Sequence, residues 1–132
     1  MDTLVLRLEP GADLRGALEA VLAQQGLGGA FVLAGIGSLS QAVIRRAGVA
    51  EPDLHRQDLE LLTLSGSLAT GGAHLHATLA RADGSVFGGH VAAGCIVRTT
   101  AEVLVGLLPA WQLTREHDAH TGYAELVTRR AP

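Results

Sequence analysis

Gly72-Ala73-His74-Leu75-His76-Ala77-Thr78, followed by Asp83-Gly84-Ser85-Val86-Phe87-Gly88-Gly89-His90, is the stretch on which the reading of this chain turns. Alternate residues of a β-strand share a face, so an extended first segment projects the imidazoles of His74 and His76 side by side. Asp83-Gly84 between two such segments signals a hairpin, which returns His90 towards the pair. Three neutral imidazoles on a rigid ribbon suit a first-row divalent metal, Zn²⁺ foremost, with one coordination position left open. Register is a strict condition. A regular two-residue turn at Asp83-Gly84 sets His90 opposite Ala77 and aims it away from the other two. The triad therefore predicts either a three-residue turn or a β-bulge at Gly88-Gly89.

The rest of the composition limits what such a site can serve. A chain of 132 residues with 48% hydrophobic content is the size of one domain with its own core, residues 1–132. No apolar run approaches the roughly 18 residues of a membrane helix. The start, Met1-Asp2-Thr3-Leu4-Val5-Leu6-Arg7, lacks a basic region followed by an apolar block, so no signal peptide is expected. The single cysteine, Cys95, lies in an apolar segment and reads as buried packing; with no disulfide possible, a cytoplasmic protein is expected. The net charge is −3 and all ten basic residues are arginine. Their only adjacent pairs, Arg45-Arg46 and Arg129-Arg130, read as solvated surface, which argues against a nucleic-acid partner. Aromatic residues make up 3%, so the core must be aliphatic, and an apolar sheet face covered by sister subunits is expected.

Along the chain, residues 4–8 alternate as a short strand and residues 12–25 carry a helical stripe of Leu14, Ala17, Leu18, Val21 and Leu22. Ala30–Ile36 reads as a strand buried on both faces, and Gly35-Ile36-Gly37-Ser38 as a turn or bulge before a second strand at 39–47. Residues 48–56 read as a polar loop with an exposed His55. Residues 57–69 form a strand with Leu59, Leu61, Thr63 and Ser65 on one face and Glu60, Leu62 and Leu64 on the other. The histidine hairpin follows, then a strand across 94–105, a loop at 109–121 with Trp111, His117 and His120, and a last strand at 123–128. The sum is an α+β domain, a mostly antiparallel sheet packed with one main helix.

Several spaced segments resemble the plant and prokaryote conserved (PPC) domain family. They are Arg7-Leu8-Glu9-Pro10-Gly11-Ala12-Asp13-Leu14, Gly35-Ile36-Gly37-Ser38-Leu39, Leu64-Ser65-Gly66-Ser67, the histidine ribbon, Thr99-Thr100-Ala101-Glu102-Val103 and Arg115 with Thr121-Gly122. The resemblance implies a homotrimer with the triad at or near a subunit boundary, and makes His74, His76 and His90 the metal ligands. It also implies a distant likeness to acetolactate decarboxylase, whose zinc is held by a His-x-His strand and a later histidine. Plant members of the family regulate transcription and contact DNA through a separate Arg-Gly-Arg-Pro segment, which these residues do not contain.

Two classes of function follow. The chain is a metal-binding assembly domain, a homotrimeric scaffold or regulator, or it is a zinc-dependent enzyme acting on a small oxo-acid or similar anion. Glu102, in an otherwise apolar segment, is the candidate catalytic acid or base, on the expectation that it is buried beside the triad. Glu60 has the same status with less support. Arg7 could anchor an anion or pair with a carboxylate. DNA binding is a third and weaker reading.

Overall fold

The computed structural model describes residues 2–132. Among the described residues, nine strands and two short helical segments run in chain order as β1 (Thr3–Leu8), α1 (Leu14–Glu19), α2 (Val21–Gln25), β2 (Gly29–Arg45), β3 (Asp53–His55), β4 (Leu59–Ala69), β5 (Gly72–Ala80), β6 (Val86–Val91), β7 (Ile96–Leu107), β8 (Trp111–His117) and β9 (Ala124–Arg130). The main sheet runs β1-β7-β2-β4-β5-β6, with β3 on β2, and every strand pair in it is antiparallel.

The helical stripe forms as the spacing predicts, but as two segments bent at Ala20. The Asp13 carboxylate caps the first by accepting from the Gly16 N–H at 2.7 Å. Leu14, Leu18, Val21 and Leu22 are buried and close the aliphatic core.

Strand β2 departs most from expectation. The glycines at 35 and 37 do not break it; they bend it, with register shifts against β7 between Val32 and Ala34, Gly37 and Leu39, and Leu39 and Gln41. One 17-residue strand thus replaces the two expected. The bend has a consequence for the whole sheet. The first part of β2 pairs with β4, and its last residues pair with β6 as Ile44↔Val91 and Arg45↔His90. The sheet thereby curls back on itself through β2, β4, β5 and β6. Gly89 permits the approach: a Cβ there would stand 2.6 Å from the Arg45 carbonyl oxygen.

The segment 30–36 is not buried on both faces within one chain. Ala30 and Val32 point inward, while Phe31, Leu33 and Ile36 lie on the outer face. A register shift between Leu61 and Thr63 also moves Leu64 into the core and Thr63 out of it, reversing the expected facing at those two positions. The expected loops at 48–56 and 109–121 hold strands as well. His55 is half-buried on β3, its ring 4.5 Å from that of Phe87. Strands β8 and β9 form a separate two-stranded arm stapled by the Arg129–Glu116 ion pair at 2.6 Å. Cys95 is fully buried, as expected, and burial raises its thiol pKa.

Candidate metal centre

The β5–β6 hairpin takes the three-residue form. Arg81 N–H donates to Ser85 at 2.8 Å, Gly84 N–H donates to Arg81 at 2.9 Å, and Gly84 has φ of 84°, the left-handed conformation this loop requires. The register that follows is unbulged: His76 faces His90, Ala77 faces Gly89 and Thr78 faces Gly88. One residue in the turn thus decides that His90 shares the outer face with His74 and His76. Gly88 and Gly89 serve close strand approach instead of a bulge.

The three rings stand 4.9 Å (His74–His76), 5.3 Å (His74–His90) and 5.9 Å (His76–His90) apart between centroids. One ring nitrogen from each lies within 4.8 Å of the others. The Nε2 atoms of His74 and His76 are 3.2 Å apart. Two nitrogens bound to one tetrahedral zinc at 2.0–2.1 Å stand about 3.3 Å apart, so this pair is already spaced for it. His90 Nδ1 is buried with no hydrogen-bond partner, an unmet donor or acceptor on one of the three rings. The donor set therefore fits a borderline-soft divalent ion.

Burial and neighbouring cations favour the neutral form of His74 and His90, the form that binds metal. Burial pushes the His90 pKa down to about 4, and the Arg45 cation, His74, Arg15 and His76 add to that effect. Burial, then His76 and Arg115, lowers His74, against an opposing pull from Glu125. Arg15 Nη1 lies 3.4 Å from His90 Nε2 and donates to the Val91 carbonyl at 3.0 Å. Arg115 donates from Nη2 to the buried Ser67 hydroxyl, whose residue faces His74 across β4 and β5. A cavity of about 750 Å³ opens beside His74 and His90, walled by Arg15, Arg45, Arg115, Tyr123 and Glu125.

The other candidates lie elsewhere. Glu102 is exposed on the outer face of β7, opposite Arg7 and Ile36, with β2 and β4 between its strand and β5. The expected buried carboxylate beside the triad is therefore corrected: strand alternation turns position 102 outward while Ala101 and Val103 face the core. Glu60 is likewise exposed on β4. Arg7 faces Glu102 and donates to Thr100 Oγ1 at 3.2 Å, away from the cavity. His117 and His120 are exposed and outside the cluster. Arg45, read from sequence as surface, is half-buried on the cavity wall, whereas Arg46 is exposed and paired with Asp53 at 2.6 Å. Nothing local in the sequence distinguishes those two arginines; the β2–β6 pairing does.

The Plants and Prokaryotes Conserved (PCC) domain model matches residues 1–109. The chain belongs to that family. A hypothetical protein from Salmonella superposes on this PCC domain with a TM-score of 0.94 at 34% identity, over 99% of this chain and 95% of that one. A metal-containing protein from Archaeoglobus fulgidus superposes with a TM-score of 0.78 at 29% identity, over 96% of this chain and 94% of that one. A bifunctional protein GlmU from Synechococcus sp. is 47% identical over 121 residues, 92% of this chain. The chain spans about one fifth of that relative's length, 19%. Strands β8 and β9 lie beyond the segment matched by the family model.

Proposed function

We propose that this PCC domain is a homotrimeric metal-binding assembly domain whose zinc is held by His74, His76 and His90. The observation that carries the metal reading is the 3.2 Å spacing of the His74 and His76 Nε2 atoms beside the unpartnered, buried Nδ1 of His90. The metal-containing Archaeoglobus relative of the same fold supports it. The outer sheet face supports a homotrimer: Val5, Leu33, Ile36, Leu62 and Leu104 are 77%, 46%, 54%, 43% and 36% exposed in the single chain. Large apolar side chains grouped on one sheet face are what sister subunits would cover. A lone buried cysteine fits a reducing, cytoplasmic setting.

Elemental analysis of protein reconstituted with zinc and then desalted, paired with light scattering, tests both parts. About one zinc per chain and a mass of three chains are expected. A metal-free protein after reconstitution would sink the metal reading, and a monomer would sink the assembly.

A second reading, a zinc-dependent enzyme acting on a small oxo-acid or similar anion, is favoured by the cavity that opens on His74 and His90. There a bound zinc would supply Lewis-acid polarisation of a carbonyl. Glu125, on the cavity wall, replaces Glu102 as the carboxylate placed to move a proton. Turnover of 2-oxo and 2-hydroxy acids by the zinc-loaded protein, abolished by Glu125→Gln with zinc content unchanged, is the expected result. DNA binding keeps the least support, since the single helical element presents no basic stripe.

A further inference from the structure

Arg15 comes from α1, Arg45 from the end of β2 and Arg115 from β8, three elements far apart in sequence that converge on one cavity. All three are half-buried. Among the described residues neither Arg45 nor Arg115 forms an ion pair, whereas Arg46, Arg98 and Arg129 at the surface do. Arg15 is held by Glu19 through Nε at 2.7 Å and by the Val91 carbonyl through Nη1, which leaves Nη2 without a partner. Glu125 is the one carboxylate on the wall, and it lies beyond ion-pair distance of each guanidinium. Gathering three half-buried cations with a paired carboxylate for Arg15 alone is unfavourable, so the arrangement leaves an unmet demand for negative charge at Arg45 and Arg115. Arg115 registers the strain: burial lowers its pKa, and Arg15 adds to that against the pull of Glu125.

We propose that this cavity is an oxyanion site in which Arg15, Arg45 and Arg115 bind a carboxylate or phosphate group while the rest of the ligand faces the histidine triad. Planar guanidinium forks match the paired oxygens of such groups, and three of them set around one space favour a small, multiply charged organic anion over a neutral ligand. The ligand class follows from the charge set, and its fit is set by the β8–β9 arm. That arm supplies Arg115, Tyr123 and Glu125 to the wall and lies outside the segment matched by the family model.

The inference rests on the metal reading for its second half, so the test separates the two. Protein loaded with cobalt(II), whose visible bands report ligands near the metal, is titrated with inorganic phosphate and with malonate; malonamide is the neutral control. Saturable band shifts with both anions and none with malonamide are expected. Arg115→Gln and Arg45→Gln should each raise the Kd about tenfold or more with cobalt content unchanged. Equal binding of malonamide, an unaltered Kd in both variants, or no anion binding by the loaded protein would overturn the proposal. Should Arg115→Gln fail to fold, Arg45→Gln decides by itself. Should cobalt not load, the metal reading fails, and calorimetry of phosphate on the metal-free protein still decides for or against the arginine set.

Discussion

His90 concentrates the demands of the site on one side chain. Its neighbours are two other imidazoles, two arginines and the buried wall of β6, so protonation is resisted from every direction. Its pKa of about 4 in the folded protein lies below the ordinary 6.5. Between those values the unfolded chain binds the extra proton and the folded chain does not, so metal-free protein loses stability as pH falls through that window. A thermal midpoint that declines from pH 6.5 towards 4, with the decline reduced in His90→Ala and the remainder carried in part by His74, is the expected result. Zinc should stay bound to a lower pH than on a surface imidazole cluster, because protons compete poorly with it at His74 and His90. Competition with a chromophoric chelator across that range checks the claim. Replacing His90 or His76 by Ala should weaken zinc binding at least about a hundredfold, since two imidazoles remain of three.

The hairpin β5–β6 and its partner β4 turn those residues into a site. Ala82, Asp83 and Gly84 make the turn, braced by the Asp83 carboxylate accepting from the Ser85 N–H at 2.9 Å. Deleting Val86, between the turn and His90, shifts the rest of β6 by one residue against β5, which sets His90 opposite Ala77 and sends it to the opposite face. The variant should fold as a sheet by circular dichroism and lose stoichiometric zinc; retention of zinc would refute the register argument. Gly66 on β4 is the matching constraint from the other side. It has φ of 152°, and a Cβ there would overlap the carbonyl oxygen of His74. Gly66→Ala should destabilise by roughly 1–3 kcal/mol in urea titration and loosen the triad, through strain and overpacking where β4 meets β5. The Ser65-Gly66-Ser67 segment is thus legible in sequence as unusual, but its reason lies in the partner strand.

At the scale of the whole molecule, the apolar outer face asks for cover. Ile36→Glu places a charge on it opposite Glu102, and on the proposed assembly light scattering is expected to give a trimer for the wild type and a monomer for the variant. Two strands in the expected loops escaped the sequence because Asp53–His55 is only three residues long and Trp111–His117 carries mostly polar side chains. Neither gives the apolar period on which a strand assignment depends. Similarly, the glycines of β2 look like a turn until long-range pairing with β4, β6 and β7 shows that the chain only bends. The sequence by itself determined the triad, the aliphatic core and the helical stripe. Each depends on a period of two or 3.6 residues and on turn chemistry, which are local properties of the backbone. Only the tertiary structure decided that Arg15, Arg45 and Arg115 meet at the triad and that Glu102 does not. Such meetings depend on which strands pair across the closed sheet, and pairing over dozens of residues is set by the packing of the entire core.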